Sequence, residues 1–237
     1  MPTSDNITVP VVSEMVKLMA PESALDIGVG AGKFGFVFRE EREWKTGSVP
    51  TEHWRARLDG VEVCARYITP LHNYLYDKLY IGLAEEIVPS LGSYDLIHMG
   101  DVIEHLGKSD GLALLDVLYD KAQMGILIVT PVGEYPQQGT RENPFQEHKS
   151  VWCSKDFRKF PWRLSQKVGG RQWVIFISKS QDLLMNIRHG RRRRLLDEHL
   201  RRIRRYKKIW YILQGARHVK YLIVGHATLR KPRRTDL

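Results

Sequence analysis

Two groups of residues in this 237-residue chain have types and spacings that could do chemistry. The first is Ala24-Leu-Asp-Ile-Gly-Val-Gly-Ala-Gly-Lys-Phe-Gly35, with Gly28, Gly30, Gly32 and Gly35 inside eight residues. Glycines this close together let the backbone turn tightly and let a ligand approach it. The helix start that follows would offer unpaired N–H groups and a partial positive charge. A phosphate-binding P-loop would need Gly at 27 and Ser or Thr at 34, where the chain has Ile27 and Phe34. The dinucleotide pattern G-x-G-x-x-G is met formally by Gly30–Gly35, and Glu62, ending the next strand, could bind ribose hydroxyls. The bland alternative is a structural turn without a ligand.

The second group is Glu104, His105 and His148. Glu104-His105 closes the run Gly100-Asp-Val-Ile-Glu-His105, and His148 sits in Pro131–Val151, about twenty residues without periodicity, a length more typical of a lid or substrate loop than of a connection. His148 is the first candidate for a general base, taking a proton from a hydroxyl or amine. The competing reading is a loop histidine bonded to backbone. For Glu104 and His105 a base or metal role competes with a structural one, in which Asp101 caps the next segment and His105 packs at its start. No two His, Asp or Glu residues have zinc-motif spacing, so the sequence calls for no metal.

These residues need a scaffold, and the chain alternates strand-like and helix-like segments. Val12, Met15, Val16 and Met19 recur at helical spacing before Pro21, and Lys33 to Arg42 reads helical. Strands are expected at 24–27, 57–63, 79–82, 96–99 and 125–130, with a helix at 109–121 showing Leu112, Leu115, Leu118 and Tyr119 on one face. The runs 163–168 and 173–178, joined by Gly169-Gly170-Arg171, read as a hairpin. The expectation is an α/β, Rossmann-like, seven-stranded and mostly parallel sheet, with an antiparallel last hairpin and helices on both faces. Carboxyl ends of strands in such a sheet are where ligands bind.

The ordered blocks resemble class I S-adenosylmethionine-dependent methyltransferases, in their small-molecule branch, over residues 10–180. Asp26-Ile-Gly-Val-Gly-Ala-Gly32 is similar to that family's first motif. The resemblance implies cofactor contacts from Asp26, on the methionine amine, and from Gly28, Val29, Gly30, Gly32 and Phe34. Glu62, with Val63 beside it, is similar to the acid that grips the ribose. Gly82-Leu-Ala-Glu-Glu86 is similar to the adenine block, implying contacts from Ala84 and Glu85; Leu83 stands where the family often has Asp, which shifts adenine recognition to Glu85 or to backbone N–H groups. Tyr94–Leu106 is similar to the fourth strand with its x-V-x-E-H-L continuation, implying cofactor contacts from Gly100 and Asp101. The physical reading agrees, because S-adenosylmethionine carries ammonium and sulfonium charges that favour nearby acids. What the resemblance implies is methyl transfer to oxygen or nitrogen of a small-molecule acceptor or cell-envelope precursor. The place after strand four reads Met99-Gly-Asp-Val rather than the Asn- or Asp-Pro-Pro-aromatic run of base N-methylating relatives. The alternatives are a non-catalytic binding protein that keeps the fold, and an RNA methyltransferase that holds RNA with its tail.

That tail sets the charge balance. Residues 181–237 hold 17 Lys and Arg against 4 Asp and Glu, whereas residues 1–180 hold 20 against 23, so the net +10 comes from the last quarter. The division expected is a methyltransferase-like domain over 1–180 and a basic helical extension over 181–237. Leu196, Leu200, Ile203, Trp210 and Leu213 recur at helical spacing among the basic residues. Through 188–234 the extension could pack on its own domain or on a second subunit as a homodimer, lie on an anionic membrane surface, or bind nucleic acid. Cys64 and Cys153 are far apart, and the start has no basic or apolar leader pattern, so a cytoplasmic protein is expected, associated with a membrane only at its surface. The segment 44–57, with Trp44 and Trp54, reads as an insertion without an assigned role.

Overall fold

The structure, a computed structural model, describes residues 5–47 and 54–194. Seven strands form one sheet: β1 (Ser23–Ile27), β2 (Arg57–Glu62), β3 (Lys78–Ile81), β4 (Tyr94–Gly100), β5 (Ala122–Pro131), β6 (Arg163–Val168) and β7 (Gln172–Ser178). Their order is β3-β2-β1-β4-β5-β7-β6. The first five are parallel, and β7 runs antiparallel between β5 and β6. The chain thus winds outward from β1 to one edge and returns to β4 on its other side. That makes the gap between the carboxyl ends of β1 and β4 a topological switch point, where open α/β sheets bind ligands.

Both faces of the sheet are covered. Ala24, Leu58, Leu96 and Leu127 join one cluster with α1 (Val9–Met19), α2 (Lys33–Arg42) and α3 (Pro70–Leu75), through Met15, Val16, Val37, Phe38 and Leu75. Leu25, Ile27, Ile97, Met99, Ile126 and Ile128 face the opposite way, against α4 (Ala84–Ile87) and α5 (Lys108–Lys121), through Ala84, Leu114, Leu115 and Leu118. Alternation along each strand sends neighbours to opposite layers, and each full burial of such a side chain stabilises by about 1.5–3 kcal/mol. On α5 the fully buried positions are Gly111, Leu114, Leu115 and Leu118; Leu112 and Tyr119 are half-buried and pack against the same cluster. The helix lies close to Trp152 at Gly111, where a Cβ would come within 2.6 Å of the indole ring.

The ends of the 44–57 insertion are clipped to α2. Arg39, fully buried, donates to the carbonyls of Leu75 (2.8 Å) and Ala56 (2.6 Å) and to Asp77 (3.0 Å), with Trp54 stacked 4.0 Å from its guanidinium. Glu43 accepts from the N–H groups of Arg55 (3.1 Å) and Ala56 (2.8 Å). Removing one member of such a buried ionic set costs about 3–5 kcal/mol, since the rest is left uncompensated.

Residues 181–194 are helical, and Leu184 and Ile187 pack into the α1–α2 cluster. The first compact unit accordingly runs Met1–Arg188, eight residues past the boundary expected at 180, and the second is His189–Leu237. The apolar stripe expected from Leu196 to Leu213 lies outside the described residues. Among the described residues no helix is long and apolar enough to cross a membrane, and Cys64 and Cys153 are free thiols.

Candidate functional site

A cavity of about 700 Å³ opens at the switch point. That is within the size range of small-molecule sites. All the residues assigned a role above line it, with one exception. Gly32 is absent from its walls: it is the N-cap of α2, at φ 79°, with Leu75 and His72 against it. It starts the helix that follows the glycine turn.

The glycine turn is shaped at Gly28 and Gly30. Both are left-handed, with φ 75° and 51°, a region that costs other residues strain. A Cβ on Gly28 would also stand 2.3 Å from Val102 Cγ2. The turn is tied to β2, since Gly28 N–H donates to the Val61 carbonyl (2.8 Å) and Gly30 N–H to Glu62 Oε2 (3.0 Å). Glu62 Oε1 accepts from Cys64 N–H (2.9 Å), so both oxygens of this buried acid are engaged. Burial raises its pKa, while the two N–H groups pull it back.

Asp26 is held from two sides. Its Oδ2 accepts from the Tyr76 hydroxyl at 2.6 Å, and its Oδ1 lies 2.8 Å from His98 Nδ1. Asp26 and Tyr76 are both buried; burial and then the Asp26 charge drive the Tyr76 phenol well above its ordinary pKa, so it stays a donor. Phe34 stacks flat on His98, with ring centroids 3.9 Å apart. In the third block, Leu83 is the N-cap of α4 without a side-chain cap, and it lines the cavity with Gly82, Ala84 and Glu85. Lys33, in the first turn of α2, also reaches the wall; burial lowers its pKa, and Asp101 and Asp5 oppose that.

The opposite wall is built on the exit from β4. Asp101 has φ 51°, a left-handed value that Asp tolerates better than most side chains, and this bend swings the chain into a 3-10 turn, Ile103–His105. Asp101 does not cap that turn. The N-cap is Val102, and α5 begins at Lys108 after the N-cap Gly107, which gives no side-chain cap; the bend, rather than a cap, ends the strand. His105 closes the 3-10 turn instead of packing at the start of α5.

Glu104 is 2% exposed. Its Oε2 accepts from the Thr130 hydroxyl (3.1 Å), and its Oε1 has no hydrogen-bond partner among the described residues. Burial, and then the Asp101 charge, push its pKa up to about 8. His105, half-buried, has its Nδ1 3.1 Å from the Glu147 carbonyl; burial lowers its pKa against the pull of that carbonyl. The 131–151 loop is strapped to this turn. Lys149 and Ser150 N–H donate to the Glu104 carbonyl (2.8 and 3.1 Å), and Trp152 Nε1 donates to the Ile103 carbonyl (3.1 Å). Tyr67 anchors its far side by accepting from Asn143 Nδ2 (3.0 Å) and Gln146 Nε2 (2.6 Å). His148 is thereby set beside His105, with ring centroids 4.7 Å apart, and its Nδ1 lies 2.6 Å from the Tyr135 carbonyl. One nitrogen of His148 is thus bonded to backbone, and the ring also lines the cavity.

Tyr76, His98, Tyr67 and Thr130 take part in this site and carry no motif of their own; His98 alone sits inside a recognisable block, one step from the strand end. Gly107-Lys-Ser-Asp-Gly111 also spells the Gly-x-Ser-x-Gly of a nucleophile elbow, but Ser109 is exposed on the first turn of α5 and away from the cavity wall.

No protein-family model matches the chain, and no curated protein matches it in sequence. Solved structures do match its fold. An O-methyltransferase family protein from Burkholderia thailandensis aligns with TM-score 0.52 at 13% identity, over 73% of this chain and 56% of that one. A SAM-dependent methyltransferase from Archaeoglobus fulgidus gives 0.52 at 16%, over 72% and 94%. Human N-acetylserotonin methyltransferase, solved in complex with S-adenosylmethionine, gives 0.52 at 13%, over 73% and 52%. The chain thus spans little more than half the length of two of these three. Likeness at such identities is likeness of fold, and the chain has the Rossmann-like fold of the class I S-adenosylmethionine-dependent methyltransferases.

Proposed function

We propose that the chain binds S-adenosylmethionine at the glycine turn and transfers its methyl group to an oxygen or nitrogen of a small molecule or cell-envelope precursor held beneath the 131–151 loop. The observation that carries this reading is a single one. The glycine turn, Asp26 and Glu62 share one cavity with Glu104, His105 and His148, so a donor site and a proton-accepting site face each other across the switch point. Fold likeness to a protein solved with S-adenosylmethionine supports the choice of donor. The cation-favouring acids at the β1 and β2 ends support it too, since a dinucleotide would bring pyrophosphate toward them.

Methyl transfer from a sulfonium is an in-line displacement, and positioning supplies much of the rate. A base is needed only where the acceptor must lose a proton. His148 suits that task. With Nδ1–H donating to the Tyr135 carbonyl, the neutral ring keeps its lone pair on Nε2. Calorimetry tests the reading. S-adenosylmethionine and S-adenosylhomocysteine are expected to bind and NAD not to, and pooled hydroxyl and amine acceptors are expected to give S-adenosylhomocysteine. Binding of NAD with none of S-adenosylmethionine would overturn the reading.

A further inference from the structure

Glu104, His105 and His148 each offer one ligand atom, and the three atoms lie within 4.8 Å of one another. No motif spacing brings them together; the strap of the 131–151 loop onto the Glu104 carbonyl does. Each ring is oriented from behind by a backbone carbonyl, His148 by Tyr135 at 2.6 Å and His105 by Glu147 at 3.1 Å. Histidines that ligate metals are nearly always held in this way, with the other ring N–H donating to a carbonyl or carboxylate. Glu104 supplies a second, independent observation. It is 98% buried, and its Oε1 has no hydrogen-bond partner among the described residues. Leaving such an oxygen unsatisfied costs about 1–3 kcal/mol or more, and a cation would satisfy it.

We infer that Glu104, His105 and His148 form a binding site for a divalent first-row transition cation at the acceptor end of the cavity. Two imidazoles and one carboxylate suit cobalt, zinc or iron(II) better than magnesium, which prefers an all-oxygen shell. Three protein ligands leave coordination positions open, as catalytic sites do and closed structural sites do not.

The consequence for catalysis rests on the methyl-transfer reading; the binding of the cation does not. A cation so placed lowers the pKa of a hydroxyl it touches. The acceptor class it selects is therefore a hydroxyl compound. The hydroxyl proton passes to solvent, the C–O bond forms as the C–S bond breaks, and the sulfonium leaves as a neutral thioether. His148 then serves as a ligand rather than as the base.

Cobalt(II) is the probe, because its visible absorption reports coordination by nitrogen and oxygen. The full chain, stripped with chelator, is titrated with Co2+, and Zn2+ is then added. The expected result is one Co2+ per chain, displaced by Zn2+, with affinity lowered at least tenfold in His148→Ala and in Glu104→Gln; even outer-shell changes cost about 10–100-fold at such sites. Thermal melts confirm folding. Should Glu104→Gln fail to fold, His148→Ala, altered on the loop, carries the test. Absence of stoichiometric Co2+ binding, or affinity unchanged in His148→Ala, overturns the site. The same samples are titrated with S-adenosylmethionine. Nucleoside binding without cobalt binding removes the cation site alone, and cobalt binding without the nucleoside removes the methyl-transfer reading alone.

Discussion

The two walls of the cavity treat their acids in opposite ways. On the glycine-turn side, Asp26 is taken up by Tyr76 and His98, and Glu62 by the N–H groups of Gly30 and Cys64. On the loop side, Glu104 is as deeply buried, yet its Oε1 has no hydrogen-bond partner among the described residues. The first wall is organised by the protein before any ligand arrives, so binding there costs little rearrangement. The second stores an unmet electrostatic demand beside two histidines. A wall of the first kind suits holding a cofactor, and a wall of the second kind suits moving a proton or gripping a cation. The difference predicts that the walls can be damaged separately.

The largest effect is expected from His148→Ala. Turnover on an acceptor that the native chain methylates should fall about 10²–10⁴-fold, whether His148 takes the acceptor's proton itself or helps hold the cation that lowers its pKa. S-adenosylmethionine affinity should stay within about twofold by calorimetry, because the hydrogen bond of the His148 ring goes to Tyr135 on its own loop and not to the glycine turn. A parallel fall in nucleoside affinity would break the separation.

Gly28→Ala should act on the other wall. The new Cβ meets Val102 Cγ2 and sits at a left-handed φ, two strains of about 1–3 kcal/mol each. Melting temperature and S-adenosylmethionine affinity should both drop. Adding Val102→Ala relieves the contact but not the φ, so it should restore part of the loss. Full restoration would mean that backbone conformation contributes nothing there.

How much of this was legible depends on the range of each interaction. Strand and helix positions, the hairpin and the glycine turn follow from local patterns, and the structure has all of them within one to three residues. The turn is legible because Gly28 to Gly32 act through their own backbone. The engagement of Asp26 is not, because Tyr76 and His98 come from positions 50 and 72 residues away. The cluster of Glu104, His105 and His148 escapes spacing rules for the same reason: its third member arrives on a loop whose path is set by hydrogen bonds to a 3-10 turn. The length of the 131–151 loop signalled a site, and its direction came from Tyr67, which no motif contains.

Tyr76→Phe sharpens the comparison from within the first wall. It removes the donor on Asp26 Oδ2, leaving His98 on Oδ1, and takes away the hydroxyl oxygen that accepts from the Gly35 backbone. A buried carboxylate oxygen left without its donor costs about 1–3 kcal/mol, so a urea midpoint should fall accordingly. If the cofactor amine is served by a carboxylate held in place, nucleoside affinity should weaken too. A stability loss with unchanged affinity would detach Asp26 from binding.

The smallest effect is a slope against pH. Glu62 is buried, which raises its folded pKa above the ordinary 4.5 despite the N–H groups of Cys64 and Gly30; the Asp26 charge raises it further, and His72 opposes. An acid whose folded pKa lies above its unfolded one binds protons more tightly in the native state. Its contribution to stability is therefore complete below pH 4.5 and declines as pH rises through the folded value. Glu104, with a folded pKa of about 8, adds a second decline that extends further. Urea midpoints in Glu62→Gln should lose only the part of the slope nearest the ordinary carboxylate range and keep the part reaching toward pH 8. If the early part persists in Glu62→Gln, the two N–H bonds hold Glu62 ionised at no cost, and the first wall is even more fully prepared than its burial implies.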